Sequence, residues 1–127
     1  LLRGKRLLLV EDNDLNQIVA IDLLQDIAGA RVTLATTGHE ALRRVQEDRF
    51  DAVLMDLQMP ELDGIEATRR LRAQGLRTPI IALTANAQSS DRDDCMAAGM
   101  DAFLTKPLRL PVLLRTLATV TKGRASA

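Results

Sequence analysis

Five short runs of consecutive apolar residues recur along the chain and alternate with longer segments of helical periodicity. The runs are continuous, rather than alternating between apolar and polar residues, which is typical of strands covered on both faces in a parallel sheet. With right-handed crossovers, five strand–helix alternations predict a doubly wound α/β domain that has helices on both faces of its sheet. The predicted strands are Leu7–Val10, Val32–Ala35, Ala52–Met55, Ile80–Leu83 and Ala102–Leu104.

Several residues predict where the helices begin and end. Thr37, followed three residues later by Glu40, is a capping-box signature for the start of the second helix. The third helix is expected to open at Asp63-Gly64, and Pro111 is expected at the first helical position of the last one. Gly29 is a suitable residue to end the first helix.

The first helix is apolar on nearly all sides. One broad face, which we expect to form the core stripe, carries Leu15, Ile18, Val19, Leu23 and Ile27. The opposite side carries Ala20, Ile21 and Leu24, although the outer face of a helix that lies on a sheet is normally polar. Exposed apolar residues beside a functional site suggest docking. We therefore predict partner docking at Ile21 and Leu24, with packing against a neighbouring domain as the alternative.

Length and composition narrow the choice of protein class. The 127 residues are enough for one domain without structural metals or disulfides. We predict this domain over residues 6–121, with residues 1–5 as a linker and 122–127 as a C-terminal tail. The formal net charge is zero, which argues against a nucleic-acid or membrane surface built on net charge. Phe50 and Phe103 are the only aromatic residues, so a base-stacking platform is not expected.

The sequence has one cysteine and one histidine, so it cannot assemble a zinc site within the chain. Cys95 lies in a helix-like segment and is expected to be a small buried apolar residue. His39 lies at a helix start and is expected to be solvated. No apolar run is long enough for a membrane span, and there is no secretory leader pattern. We therefore expect a reducing, cytoplasmic setting.

Polar residues follow four of the five predicted strands. Glu11-Asp12 follows the first strand, Asp56 the third, Thr84-Ala85 the fourth and Thr105-Lys106-Pro107 the fifth. Because ligands of doubly wound sheets bind outside the carboxyl ends of the strands, these residues are expected to converge on one site. Each segment alone could be an ordinary loop, but four together are a specific signal.

The predicted site holds three carboxylates and one lysine, so it needs a further positive charge. Two like charges about 4 Å apart repel by roughly 4 kcal/mol at an effective dielectric near 20. Oxygen donors without nitrogen or sulfur suit Mg²⁺, which keeps several waters that an incoming phosphate can replace. The residues alone therefore predict a magnesium site (or a manganese site) prepared for a phosphoryl group.

The blocks that carry these residues resemble the signature blocks of the receiver domains of two-component response regulators. They are Leu9-Val10-Glu11-Asp12-Asn13, Met55-Asp56-Leu57-Gln58-Met59-Pro60, Leu83-Thr84-Ala85 and Thr105-Lys106-Pro107. The resemblance extends from about Lys5 to Thr121. Other sequence segments, such as Asn13-Asp14-Leu15-Asn16-Gln17, are similar to those of the receivers of hybrid sensor histidine kinases. The resemblance implies a flavodoxin-like five-stranded parallel sheet in the order 2-1-3-4-5.

The resemblance also implies roles for individual residues. Asp56 would be the phosphoacceptor. Asp12, Asp56 and the backbone carbonyl of Gln58 would ligate Mg²⁺, with Glu11 acting through water. Lys106, Thr84 and the backbone amide of Ala85 would stabilise the phosphate, and Thr84 with Phe103 would form the switch. The family often has a cis peptide bond at Lys106-Pro107. We further hypothesise that Gln58 and Asn86 tune the lifetime of the acyl phosphate.

The expected function is phosphorelay signalling, in which a histidine kinase domain or a histidine phosphotransfer domain donates the phosphoryl group. The isolated domain would be no enzyme beyond its self-catalysed phosphorylation and dephosphorylation. Its parent is expected to be a hybrid kinase, with anchoring in the inner membrane left open. A stand-alone phosphate shuttle and a receiver cut from a regulator are alternatives, and homodimerisation stays open. No contact with nucleic acid or with a membrane is expected of the domain itself.

Two other classes of protein share parts of this pattern. An aspartate-dependent phosphatase would use Asp56 as its nucleophile, but those enzymes resemble a pattern with a second aspartate two residues later, where this chain has Gln58. A flavin carrier would need a hydroxyl- or glycine-rich phosphate loop after the first strand and aromatic residues around the ring. This chain has acids in that loop and almost no aromatic residues, so both readings are less favoured.

Overall fold

The protein forms the predicted doubly wound sheet. The computed structural model describes residues 3–57, 59, 62–84, 89–106 and 108–125, with the backbone alone for 89–91 and 121–125. Five parallel strands lie in the order β2-β1-β3-β4-β5, which confirms the predicted order. The strands are β1 Arg6–Val10, β2 Arg31–Ala35, β3 Ala52–Asp56, β4 Ile80–Thr84 and β5 Ala102–Thr105. The helices are α1 Asp14–Ile21, α2 Gly38–Glu47, α3 Gly64–Ala73, α4 Ser89–Ala98 and α5 Leu110–Ala125, and a π-helical segment, Asp22–Ile27, continues α1.

The sheet separates two apolar cores because successive side chains of a strand point to opposite faces. One core contains Leu8, Val53 and Ile80 from the strands and packs against side chains of α2, α3 and α4. The other contains Leu9 and Leu54 and packs against α1, the π-helical segment and α5. Both faces of the central strands are therefore covered, which explains why their sequences are continuously apolar.

The predicted orientation of the first helix is wrong. Leu15 and Ile18 are 69% and 66% exposed, whereas Leu24 is fully buried and Ala20 is 4% exposed. Ile21 is half-buried and packs against the core beneath α5. Two stripes of this helix are apolar, and the structure buries the one that contains Ala20 and Leu24. The docking prediction for Leu24 is therefore wrong, whereas Ile21 is only half-buried, and its docking role stays a prediction.

The helix starts are capped by side chains. The predicted capping box at α2 is confirmed in part, since Thr37 Oγ1 accepts a hydrogen bond from Glu40 N–H at 3.0 Å. The Glu40 carboxylate, however, accepts from the backbone N–H of Thr36 at 2.7 Å rather than from that of Thr37. Asp63 caps α3 through a 2.9 Å bond from Glu66 N–H, as its position in the sequence predicted. Pro111 is the second residue of α5 rather than the first.

Other predictions about single residues and domain limits have mixed outcomes. Cys95 is fully buried and His39 is exposed, as predicted. Gly29 has a φ of 85°, in the left-handed region, two residues after the π-helical segment ends. The limits at residues 5 and 121 stay predictions, and α5 continues to Ala125. Within the described part of the chain, no helix is both long and apolar enough to cross a lipid bilayer.

Candidate functional site

Three carboxylates meet at the carboxyl end of the sheet. Glu11 and Asp12 directly follow β1, and Asp56 is the last residue of the neighbouring strand β3. One carboxylate oxygen from each residue lies within 4.8 Å of the other two. Glu11 and Asp56 are buried, whereas Asp12 is exposed. The predicted acidic cluster is therefore present, and it borders a cleft of about 490 Å³.

Lys106 joins the cluster from the turn after β5. Its Nζ donates a 2.7 Å hydrogen bond to Glu11 Oε1 and lies 3.3 Å from Asp56 Oδ2. The Lys106 side chain is 17% exposed and that of Glu11 only 2%, so the pair is largely shielded from water. One cation thus faces three carboxylates, which leaves the site with the net negative charge that the sequence predicted.

The pKa of Glu11 reflects several opposing effects. Burial raises it, because the charged carboxylate loses its hydration. Hydrogen bonds with Asp56, Lys106 and the backbone N–H of Asn13, together with the charge of Lys106, act in the opposite direction. The net result is that the pKa of Glu11 lies below its usual range. The Glu11 carboxylate therefore stays ionised at neutral pH in spite of its burial.

Thr84 and Lys106 are tied together through the backbone. The Lys106 N–H donates to Thr84 O at 2.7 Å, so β5 and β4 deliver their last residues side by side. Thr84 is only 2% exposed. Phe103 pairs with Ala82 in the β4–β5 ladder and is partly buried against the core beneath α3 and α4. Because Ala82 and Thr84 lie two residues apart on β4, Phe103 and Thr84 lie on the same face of the sheet.

The glycine at the start of α3 permits a close approach to Asp56. A Cβ atom added to Gly64 would overlap the carbonyl oxygen of Asp56 and would lie 2.9 Å from Met55 Cγ. Gly64 N–H also donates to Leu57 O at 3.3 Å. The first turn of α3 therefore packs directly on the backbone of the candidate phosphoacceptor, which requires a residue without a side chain.

Four of the predicted site residues cannot be placed. Gln58, Ala85, Asn86 and Pro107 lie outside the described residues, so their predicted roles in metal ligation, phosphate binding, lifetime tuning and the cis peptide bond stay predictions. The residues that the structure does bring together are Glu11, Asp12, Asp56 and Lys106, with Thr84 on the adjacent strand.

Sequence reasoning missed the residues that shape the turn between β1 and α1. Asn13 caps α1, because its Oδ1 accepts from Asn16 N–H at 3.0 Å. Its own N–H donates to Glu11 Oε2 at 3.2 Å. Gln17 donates from Nε2 to the backbone carbonyl of Glu11 at 2.8 Å. The sequence held no clear signal for these contacts, because Gln17 stands in line with Ala20 and Leu24, which the structure buries but the sequence analysis had assigned to the outer side of the helix.

An apolar groove lies beside α1. Ile18, Val19, Ile21 and Leu23 line it together with Leu108 from the connection between β5 and α5, and its volume is about 590 Å³. Asp22 and Asp26 also line the groove and give it acidic groups. Leu15, 69% exposed, lies on the same helix one turn before Val19. The exposed apolar surface that the sequence predicted is thus present, but residues that had been assigned to the core form most of it.

The chain belongs to the response regulator receiver domain family, whose model matches residues 7–118. This match covers nearly all of the sheet and helices described above. The family resemblance deduced from the sequence blocks is therefore confirmed, and the protein is a receiver domain of the two-component type. This membership leaves the phosphatase and flavin-carrier alternatives without support.

Known relatives include both hybrid kinases and small regulators. The chain is 41% identical over 111 residues to the sensor protein GacS of Pseudomonas syringae pv. syringae, which covers 84% of this chain and 12% of GacS. It is 44% identical over 106 residues to the two-component response regulator ORR41 of Oryza sativa subsp. japonica, which covers 81% of this chain and 84% of that protein. The chain spans 12% to 17% of the length of the first curated relatives it matches.

A solved structure with the same fold has a metal in its cleft. It is the receiver domain of the sensor histidine kinase PA1611 from Pseudomonas aeruginosa PAO1, with a magnesium ion coordinated in the active site cleft. The two chains are 47% identical, the TM-score is 0.85, and the match covers 94% of this chain and 98% of that one.

Proposed function

We propose that Asp56 of this receiver domain accepts a phosphoryl group from a phosphohistidine. One observation carries the proposal. The Asp56 carboxylate lies at the carboxyl end of the central strand, with Glu11 and Asp12 oxygens within 4.8 Å and Lys106 Nζ at 3.3 Å. In the transfer, an Asp56 oxygen forms the new P–O bond while the P–N bond of the phosphohistidine breaks, and the imidazole keeps the electron pair.

The charges around Asp56 suit this reaction. Phosphoryl transfer depends on in-line positioning and on neutralising the charge of the equatorial oxygens, more than on covalent help from the protein. Lys106 can exchange its bond to Glu11 for a bond to a phosphoryl oxygen, because its ammonium group already lies between Glu11 and Asp56. The Thr84 hydroxyl and the Ala85 amide are proposed to bind the remaining oxygens.

The carboxylates also fit a divalent cation. Mg²⁺ or Mn²⁺ prefers oxygen donors, and three carboxylates with one lysine leave a deficit of positive charge that a cation would fill. Asp12, Asp56 and the Gln58 carbonyl would hold it directly, with Glu11 through water. When bound, the cation neutralises charge on the phosphoryl oxygens. The magnesium ion in the cleft of the PA1611 receiver supports this assignment.

Phosphorylation adds negative charge next to Thr84, and we propose that this residue is the sensor. A shift of Thr84 towards the phosphate would leave space for Phe103, which lies on the same face of the sheet and is only partly buried. The two residues would then act as a packing switch biased by a local charge. Gln58 and Asn86 are proposed to tune the lifetime of the acyl phosphate.

The proposed phosphodonor is the helical surface of a histidine phosphotransfer domain or the dimerisation helices of a histidine kinase. The support is the apolar groove beside α1, which has Ile18 and Leu108 in its lining and acidic residues along it. Such a groove suits a helix with apolar and basic residues. The domain is proposed to be cytoplasmic and to belong to a hybrid histidine kinase, since GacS and similar relatives are far longer than this chain, and anchoring of that parent in the inner membrane is left open. A stand-alone regulator of the ORR41 kind is the alternative.

Labelling with a small phosphodonor tests the assignment of Asp56. Acetyl phosphate with Mg²⁺ should add one phosphoryl group to the wild-type protein, measured by intact mass, and the Asp56→Asn variant should gain none. Asp94→Asn, which changes an exposed carboxylate on α4, is the matched control and should be labelled like the wild type. Labelling of the Asp56→Asn variant at the wild-type rate would refute the proposal.

A further inference from the structure

Asp12 lies in the short turn between β1 and α1. The ladder to β2 continues only as far as Glu11, whose N–H donates to Ala35 O at 3.0 Å. The chain then leaves the sheet, and α1 begins at Asp14. The position of the Asp12 carboxylate relative to that of Asp56 therefore depends on the contacts that fix the conformation of this turn.

The side chain of Gln17 forms a hydrogen bond with the first peptide unit of the turn. Its Nε2 donates to the Glu11 carbonyl oxygen at 2.8 Å. That carbonyl belongs to the same planar peptide unit as the N–H and Cα of Asp12. A bond that fixes the orientation of the Glu11 carbonyl consequently fixes the plane from which the Asp12 side chain starts.

Asn13, the residue after Asp12 in the turn, is fixed by hydrogen bonds from the first turn of α1. The backbone N–H of Gln17 donates to Asn13 O at 3.0 Å, and Asn13 Oδ1 accepts from Asn16 N–H at 3.0 Å. Asn13 N–H in turn donates to Glu11 Oε2 at 3.2 Å. Asp12 thus lies between two residues that the first turn of α1 holds in place, although its own side chain is exposed.

The location of Gln17 on the helix supports a specific role for its amide. It stands three residues before Ala20 and seven before Leu24, which places it on the buried face of α1. A partly buried amide there lowers stability unless it is hydrogen-bonded, and it donates to the Glu11 carbonyl. An aliphatic residue would serve equally well if packing were the only requirement.

We propose that Gln17 is a positioning residue of the acidic site. By donating to the Glu11 carbonyl, it sets the Glu11–Asp12 peptide plane and with it the spacing of the Asp12 and Asp56 carboxylates, and so the affinity for a divalent cation. The inference rests on the proposed function, because it concerns the cation of the same site. Outer partners that orient metal ligands typically change metal affinity about 10- to 100-fold when they are removed.

The test replaces the amide donor at constant side-chain length. Gln17→Met keeps the reach but removes the donor, and Gln17→Glu keeps the shape but offers only acceptors. Matched controls are Gln25→Met and Gln25→Glu, which make the same changes at an exposed position of the π-helical segment. Mg²⁺ affinity is measured by calorimetry, and the rate of labelling by acetyl phosphate is measured over a range of Mg²⁺ concentrations.

We expect both Gln17 variants to bind Mg²⁺ about tenfold more weakly than the wild type, at the lower end of the range for such partners. The labelling rate at saturating Mg²⁺ should stay near that of the wild type. A changed Mg²⁺ midpoint with an unchanged maximal labelling rate excludes a folding defect as the cause. A smaller folded fraction would lower the maximal rate without moving the midpoint. The Gln25 variants should leave the midpoint unchanged.

Three outcomes separate the hypotheses. Wild-type Mg²⁺ affinity in Gln17→Met would overturn the inference about Gln17. Tighter binding in Gln17→Glu would also overturn it, because it would show that added negative charge outweighs any loss of the donor. If the wild-type protein itself neither binds Mg²⁺ nor becomes labelled, the proposed function fails instead, whatever the variants do.

Discussion

The ammonium group of Lys106 lies 2.7 Å from the carboxylate of Glu11, in a pair of side chains separated by 95 positions in the chain. Glu11 directly follows β1, which lies between β2 and β3, whereas Lys106 follows the edge strand β5. The bond therefore spans the site from one side to the other. Its strength depends on burial, because the Glu11 side chain is 2% exposed and keeps few water contacts.

Removal of the Lys106 charge should destabilise the protein when no divalent cation is added. In Lys106→Met, the buried Glu11 carboxylate loses its charged donor, and hydrogen bonds to charged groups contribute about 2 kcal/mol. We expect a loss of about that size in the free energy of unfolding, measured by urea denaturation without Mg²⁺. Addition of Mg²⁺ should recover part of it, because a cation bound only by the folded state stabilises that state.

The control for this variant is Lys5→Met, which removes the charge of an exposed lysine before β1. That change should stay within about 0.5 kcal/mol of the wild type, as is usual at the surface. An unchanged urea midpoint in Lys106→Met would contradict the idea that the lysine compensates the buried acids.

Mutation of the groove beside α1 should separate docking from chemistry. In the double variant Leu15→Ser and Ile18→Ser, two exposed apolar side chains of α1 are lost, at 69% and 66% exposure. We expect phosphotransfer from a phosphorylated histidine phosphotransfer domain to slow at least tenfold, since a loss of about 1.4 kcal/mol in docking is already a factor of ten. Labelling by acetyl phosphate should remain at the wild-type rate.

Ile27→Ser is the matched control for the groove. Ile27 is 56% exposed and lies at the far end of the π-helical segment from the acidic cluster. Its substitution should leave transfer from the protein donor unchanged. Equal slowing of both kinds of labelling in the double variant would show that the substitutions disturb the site itself and would refute docking at this surface.

Much of this architecture could be predicted from the sequence because strand burial leaves a direct pattern. All five strands were located, and their limits differ by a residue or so, since polar end residues such as Arg6 and Asp56 still belong to the ladders. The acidic cluster was predicted for a similar reason. Polar residues directly after buried strands must lie at one edge of a parallel sheet.

Which side of the first helix faces the sheet could not be predicted in the same way. Both of its sides are apolar, so hydrophobic periodicity is compatible with either side facing the sheet. The structure buries Ala20 and Leu24 and exposes Leu15 and Ile18. The bond from Gln17 to Glu11 would have settled the choice, but a contact between a side chain and a backbone carbonyl leaves no periodic signal.

Arg72 forms another contact that the sequence does not reveal. From the last turn of α3 it donates to the carbonyl oxygens of Gly99, Leu76 and Thr78 at 2.8–2.9 Å and to Asp101 Oδ2 at 2.8 Å. Its partners are mostly backbone groups, and Asp101 lies 29 residues away. This network ties α3, the connection between α3 and β4, and the turn before β5 together at the end of the sheet away from the acidic site.

Arg72→Lys should therefore be strongly destabilising although it conserves charge. A lysine cannot reproduce the planar arrangement of guanidinium donors, so partly buried carbonyl groups would lose their partners. We expect a loss of about 2 kcal/mol in the free energy of unfolding, measured by urea denaturation. Arg69→Lys, on the exposed face of the same helix, should change it by less than about 0.5 kcal/mol. Similar losses in the two variants would contradict the role given to the network.

Glu40 should give the protein a pH-dependent contribution to stability that is independent of the acidic site. The hydrogen bond from Thr36 N–H to its carboxylate is the main cause that lowers the pKa of Glu40. Burial acts against it, and the Thr36 hydroxyl and the charges of Arg44 and Arg43 act with it. A group whose pKa is lower in the folded state stabilises that state fully above its unfolded pKa. The contribution is lost as the pH falls through the lowered value.

The difference in unfolding free energy between the wild type and Glu40→Gln isolates this contribution, because other titrating groups cancel. We expect the difference to be about 1 kcal/mol near neutral pH, the size typical of a helix-capping contact, and to shrink towards zero in acid. Urea denaturation at a series of pH values measures it. Glu47→Gln changes a 53% exposed glutamate on the same helix and should show a small difference at every pH. A difference for Glu40→Gln that stays constant from neutral pH into acid would mean that the contact with Thr36 does not depend on the charge of the carboxylate.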